Sequence, residues 1–334
     1  MFKRRLGRSD LEVSALGLGC WPIGGPWDWI EADGSRNPVG WGQVDDAESI
    51  RAIHYALDAG VNFFDTAANY GCGHSERILG QAIAERRDKV ILATKFGYLV
   101  DEENHTVTET EDVVNRIRQE CESSLRNLQT DYIDLYQFHR EDADYDMKKA
   151  AEVRDVLETL VAEGKIRWYG WSTDNPEGAC VFAQGPHCTG VQHWLNMIGG
   201  GVPEILEVCE EYDLASINRT PLGMGMVAGK FNRDTTFPEN DVRHNWNLQN
   251  ERPTKNLQRV EMVRKMFADA GDPRTMAQIA LAWIWTRSER TVPIPGFKTL
   301  AQVKENIQAM EFDLLSSEQM TKIDEIFERA PVIS

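Results

Sequence analysis

Short apolar, β-branched runs alternate along the chain with longer stretches in which apolar positions recur every three or four residues. The runs predict strands at 13–19 (VSALGLG), 61–65 (VNFFD), 89–94 (KVILAT), 132–138 (YIDLYQF), 166–171, 190–194, 214–218 and 291–294. The periodic stretches predict helices at 45–59, 75–87, 109–127, 146–163, 203–212, 257–269, 275–287 and 299–310, with one more at 316–328. Strands that are apolar on both faces and separated by helices pair in parallel through βαβ units. Eight units in 334 residues is about 42 residues each, which suits a (β/α)₈ TIM barrel of the α/β class. A doubly wound sheet ranks second, because it more often uses fewer strands and an early glycine fingerprint. No linker divides the chain, so 1–334 reads as a single domain. Two irregular segments, 22–44 and 231–256, follow strands one and seven as long loops, lengths that usually mean lids or binding loops.

Composition narrows the partners. Hydrophobic residues at 42% and charged residues at 27% are globular values. Lys+Arg 36 against Asp+Glu 53 leaves a net charge of −17, which repels phosphate backbones and disfavours nucleic acid and anionic membranes as partners. A small anionic ligand would need a local cluster of Lys and Arg. The six cysteines (20, 72, 121, 180, 188 and 209) form no CxxC pair and suggest a reducing compartment. No apolar h-region follows MFKRRLGRSD, and no run of about 18 apolar residues occurs, so a soluble, cytoplasmic protein is expected. Several familiar sites are missing. GLGCWP at 17–22 lacks the third glycine of a dinucleotide fingerprint, and GMGMVAGK at 223–230 fits neither that pattern nor a P-loop. The seven histidines show no HxH or HExxH spacing, so no metal site is expected. GxSxG does not occur.

In a barrel the chemistry sits at the C-terminal ends of strands. Strand two ends in Asp65 with Tyr70 in its loop (FFDTAANYGCGHSE), strand three in Lys95 (ILATKFG) and strand four in His139 (LYQFHR). Each alone has an ordinary structural explanation. Together, on three consecutive strands, they form a working set. A phenol has a pKa near 10, and a buried ammonium beside it favours the phenolate. An Asp keeps that Lys charged, and a neutral His can polarise a carbonyl oxygen. The set is a general acid–base for interconverting C=O and CH–OH, and it needs a cofactor to supply hydride.

At these residues the sequence resembles the aldo-keto reductase superfamily, nearly from end to end. The resemblance begins with RRLGRSDLEVSALGLGCW and GWGQVDDAESI. It continues through NFFDTAANYGCGHSE, ATKFG, DYIDLYQFHR, GWST and RTPLGMGMVAGKF, and ends with PGFKTLAQVKEN. The loops look like the bacterial-type branch, which is related to the potassium-channel β subunits. The resemblance implies a (β/α)₈ barrel that binds NADP(H), with NAD(H) as the alternative. It also implies a tetrad of Asp65, Tyr70, Lys95 and His139 with Tyr70 as proton donor.

By the same resemblance, Ser172 and Gln192 would hold the nicotinamide carboxamide, with Thr173 where the family often has Asn. Trp21 and Asp65 would adjoin the cofactor, and Arg219 takes a position where many members stack a Tyr. Pro221, Leu222, Gly223, Gly225 and Lys230 would cradle the pyrophosphate. Gly296, Phe297, Lys298 and Thr299 would surround the ribose 2′-phosphate, with Lys298 reading it. Gln302, where several relatives carry Arg, would lie near the adenine with Glu305 and Asn306.

For the substrate, a small carbonyl compound or alcohol, the expected pocket is Trp21, Trp27, Trp29, Trp41, Tyr70, His139 and Trp246. Trp168, Trp171, Trp283 and Trp285 read as core, and Cys72 as a small packing side chain rather than a redox group. Two alternatives stay open: a sugar or alcohol dehydrogenase working oxidatively, and a cofactor-bound redox sensor or regulatory subunit. A homo-oligomer is also left open.

Overall fold

A computed structural model describes residues 2–140 and 145–329. Eight strands form one parallel sheet. They are β1 (Leu18–Gly19), β2 (Phe63–Asp65), β3 (Ile91–Phe96), β4 (Ile133–His139), β5 (Ile166–Ser172), β6 (Cys188–Trp194), β7 (Ala215–Arg219) and β8 (Thr291–Pro293), each paired with its neighbours in sequence order. The ends meet through Gly17 N–H to Pro293 O (3.0 Å) and Gly19 N–H to Pro295 O (3.1 Å), which closes the sheet into a (β/α)₈ barrel. Every residue of β3 and β4 is buried, as expected for strands covered inside by side chains and outside by helices.

The helices α1 (Asp46–Asp58), α2 (His74–Ile83), α3 (Val113–Leu128), α4 (Met147–Ala162), α5 (Pro176–Ala183), α6 (Pro203–Glu211), α7 (Glu251–Asp269), α8 (Met276–Arg287), α9 (Leu300–Gln308) and α10 (Ser317–Ile326) surround it. Their starts follow from local chemistry. Thr275, Thr299 and Ser316 each accept from the backbone three residues on, and Gln278, Gln302 and Gln319 reach back to complete capping boxes.

Four differences from the sequence reading have physical causes. The run 13–19 is not one strand. Glu12–Ser14 pairs antiparallel with Lys3–Arg5 in a hairpin, and only Leu18–Gly19 joins the barrel. Leu6, Leu11 and Val13 of that hairpin pack on Phe63, Leu135, Ile217 and Val292, plugging the barrel at the end opposite the site. Gly7 makes this fit, because at φ +55° its Cβ would stand 2.0 Å from Thr189 O. The helix α5 was not expected, since PEGACVFA is short and apolar on most sides. The segment 22–44 is not irregular: Asp28–Ile30 and Arg36–Pro38 form a hairpin that joins a second hairpin, Leu99–Asp101 with Thr106–Thr108, from the loop after β3. Lastly, α7 starts at Glu251, inside the segment expected to be loop.

Candidate active site

Lys95 lies at the C-terminal end of β3 with no exposed surface. Its Nζ donates to Asp65 Oδ1 at 2.5 Å, to Thr66 O at 2.8 Å and to Tyr70 Oη at 3.3 Å. The second oxygen of Asp65 accepts from Gln137 Nε2 (2.9 Å) and Gln192 Nε2 (2.8 Å), so the carboxylate is bonded on both sides. Tyr70 is carried by a tight turn after β2. Its neighbour Gly71 sits at φ +59°, and a Cβ there would fall 1.9 Å from Gly24 O, so only glycine lets the turn press against the first loop. The Tyr70 ring packs between Trp21, stacked at 6.0 Å, and His139, edge-on at 6.1 Å.

Charge states follow from these surroundings. Burial works against the Lys95 ammonium, but Asp65 and Tyr70 outweigh it and Lys95 titrates above the usual lysine range. Burial first, then the charges of Lys95 and Arg219, hold His139 well below the usual imidazole value, so it is neutral at physiological pH. His139 Nδ1 is covered and has no hydrogen-bond partner among the described residues, which leaves Nε2 as the nitrogen able to meet a ligand. Cys72 is buried, with its thiol pushed up to about 12 by burial and then by Glu102, which disfavours the reactive thiolate.

Tyr70 and His139 open on a cleft of about 1020 Å³ at the C-terminal mouth of the barrel, at the upper end of the ~300–1,000 Å³ usual for small-molecule sites. All seven residues expected around the substrate line it: Trp21, Trp27, Trp29, Trp41, Tyr70, His139 and Trp246.

The pattern of the aldo/keto reductase family matches residues 15–328. The chain belongs to the aldo/keto reductase family. It is 32% identical to the aldo-keto reductase YhdN of Bacillus subtilis, over 96% of this chain and 92% of that one. Its structure resembles the glycerol dehydrogenase AKR11B4 of Gluconobacter oxydans with a TM-score of 0.82, 32% identity and coverage of 98% and 96%. It also resembles an aldo/keto reductase of Klebsiella pneumoniae in complex with NADP and acetate, with a TM-score of 0.69, 26% identity and the same coverage. Membership makes this chain an oxidoreductase.

In this aldo/keto reductase, most residues that the resemblance assigned to a cofactor share the cleft. Trp21, Asp65, Gln192, Arg219, Pro221, Leu222, Gly223, Gly225 and Lys230 line it, and so do Gly296, Phe297, Lys298, Gln302, Glu305 and Asn306. Ser172 and Thr173 lie behind the wall; Ser172 Oγ is buried with no partner among the described residues, whereas Thr173 Oγ1 accepts from Asn175 N–H at 3.0 Å. Thr299 caps α9. Gln302 Oε1 accepts from Lys298 N–H (2.7 Å) and Thr299 N–H (3.2 Å), so this side chain is engaged in shaping the helix start. Lys298 Nζ donates to Trp41 O at 2.7 Å, and Lys230 pairs with Glu305 at 3.1 Å.

After β7 the backbone is left-handed at Thr220, Gly223, Met224 and Gly225. Only the glycines were legible as loop-forming; Thr220, β-branched at φ +50°, marks strain held by its surroundings. Such runs turn successive N–H groups to one side, the geometry of an anion cradle. The two long loops meet across the mouth. Trp41 and Asp241 form an antiparallel bridge, Gly42 N–H donates to Asn240 O (3.1 Å) and Val242 N–H to Gly40 O (2.7 Å). Arg243, paired with Asp241, lies 4.5 Å over the Trp41 ring. Since β8 stands between β7 and β1 in the barrel, this clasp spans the end of β8.

Sequence reasoning missed Gln137, which braces Asp65, and Asp174, which holds Arg219 at 2.7 Å. It also missed Asn69, Tyr98 and Trp194 on the wall of the cleft. Gln137 lay in the quoted LYQFH, two residues before His139 and so on the same face of the strand, a signal that was available.

Proposed function

We propose that this chain is an NADP(H)-dependent oxidoreductase that interconverts an aldehyde, ketone or sugar carbonyl with its alcohol, as a single barrel domain in the cytoplasm. The observation that carries the reading is the Lys95 ammonium, sealed under Tyr70 Oη at 3.3 Å and clamped by Asp65. The cofactor fit is supported by orphaned buried atoms at the right end of the barrel, Ser172 Oγ and Asn306 Nδ2, and by the left-handed cradle after β7. The Klebsiella relative's complex with NADP agrees with it. When bound, the dinucleotide supplies or accepts hydride.

The chain's own residues manage the proton. A carbonyl oxygen at Tyr70 Oη receives the phenolic proton during reduction, and the ammonium of Lys95 stabilises the phenolate left behind. Neutral His139 donates a hydrogen bond to the same oxygen and orients it, while Asp65, held by Gln137 and Gln192, keeps Lys95 charged. Run backwards, the same groups oxidise an alcohol. The name of the Gluconobacter neighbour favours that direction as a second reading.

The test is NADPH turnover against aldehydes, ketones and sugars, with NADP⁺ and alcohols as the reverse arm. Tyr70→Phe should lower kcat by about 10²-fold or more with cofactor affinity nearly unchanged. An unmodified protein that binds NADPH but turns over nothing would instead be a redox sensor.

A further inference from the structure

The buried stripe of α3 runs through Val113, Ile117, Cys121, Ser124 and Leu128, and a carboxylic acid stands at its edge. Only 10% of the Glu120 side chain is exposed, at a place where an apolar residue would pack without the cost of burying a carboxyl group. Arg116, one turn earlier, brings Nε to 3.3 Å from Oε1. The other oxygen, Oε2, accepts from Gly97 N–H at 2.9 Å. Gly97 follows β3, the strand of Lys95, in a turn at φ +129° where a Cβ would meet the Phe138 ring at 3.2 Å and His139 O at 3.3 Å. The next residue, Tyr98, lines the cleft and packs edge-on to the His139 ring at 5.4 Å and to Trp29 at 5.0 Å.

We propose that Glu120, from outside the barrel, is a positioning residue for His139: by pinning Gly97 it seats Tyr98 against the imidazole that orients the reacting carbonyl. This rests on the carbonyl–alcohol reading above. A functional histidine is commonly oriented by a hydrogen bond at its second ring nitrogen. His139 Nδ1 has no such bond among the described residues, so packing holds the ring, with Tyr70 edge-on at 6.1 Å and Tyr98 as its aromatic neighbours. Tyr98 leaves a glycine, whose backbone is free to turn unless something fixes it. An acceptor on the regular helix α3 supplies that restraint. Glu120→Gln keeps an acceptor oxygen, whereas Glu120→Leu leaves the Gly97 N–H unmet.

The test compares kcat, KM and NADPH affinity in the unmodified protein, Glu120→Leu and Glu120→Gln, using the fastest-reduced of 4-nitrobenzaldehyde, propanal and glucose. Glu120→Leu should lower kcat by about 10-fold while KM and NADPH affinity change little, since a small misplacement of His139 acts on the reacting geometry. Glu120→Gln should hold kcat to within about twofold of the unmodified protein. The deciding measurement repeats Glu120→Leu in a His139→Gln background. There its effect should shrink to about twofold or less, because the group it positions is gone. Tyr98→Leu should show the same dependence on background, and it carries the test if Glu120→Leu fails to fold. An equal fall in both backgrounds, or Glu120→Gln as slow as Glu120→Leu, would overturn the proposal. Failure of the unmodified protein to reduce any carbonyl overturns the underlying reading instead, so the two failures are distinct.

Discussion

Gln192 Nε2 donates to Asp65 Oδ2 at 2.8 Å, and so the residue that the family resemblance assigned to the nicotinamide also braces the carboxylate opposite Lys95. Its amide nitrogen also reaches Gln137 Oε1 at 3.2 Å. The cofactor wall and the catalytic ion pair are therefore one hydrogen-bonded unit. Changes at either should register at the other.

The Asp65–Lys95 pair should behave as a coupled, desolvated unit. Asp65→Asn leaves a fully buried ammonium without its counter-charge, and breaking such a pair typically costs about 3–5 kcal/mol. Lys95→Met together with Asp65→Asn should cost less than the sum of the two singles, as a denaturant double-mutant cycle would show. Lys95 has its pKa raised by folding, so its contribution is fully present below the usual lysine range and is lost as pH rises through the raised value. The alkaline loss of stability should be shallower in Lys95→Met.

Glu120 of α3 accepts from Gly97 N–H at 2.9 Å, and burial pushes its carboxyl up to about 7. A carboxyl raised on folding stabilises the native state below its unfolded value and costs stability as pH rises through the folded one. Glu120→Gln should match the parent's stability near pH 4 and exceed it at pH 8, by about 3 kcal/mol at most. Thermal melts at the two pH values decide the sign.

Lys298 is tied to Trp41 O, yet it lines the cleft beside α9. If it reads the 2′-phosphate, Lys298→Ala should weaken NADP(H) by about 10- to 150-fold and NAD(H) far less. Equal losses in a fluorescence titration would assign Lys298 to holding the clasp alone.

The bridge between 40–42 and 240–242 joins the loops after β1 and β7 at the rim of the cleft that Tyr70 and Asn306 line. NADPH should slow amide exchange in 231–250, while α10, away from the mouth, changes little. Unchanged exchange in 231–250 would reduce the clasp to a fixed ornament of the rim.

Much of this molecule was legible in the residues alone. Both-face apolar strands alternating with helices called for a parallel barrel, and the barrel rule placed Asp65, Tyr70, Lys95 and His139 at one mouth before any distance was known. These are properties of local periodicity and strand-end position, which sequence carries directly. What sequence could not carry were pairings between distant segments whose partners have no local signature. The hairpin 28–38 finds its edge in 99–108, VSALGLG divides between a plug and a barrel strand, and Arg243 meets Trp41 two hundred residues away. The role of Gln302 in a helix cap, and the lack of a partner among the described residues for the buried Ser172 Oγ, were likewise decided only when packing fixed which polar atoms were already satisfied. Residue type sets what a side chain can donate or accept; the folded neighbourhood decides what remains for a ligand.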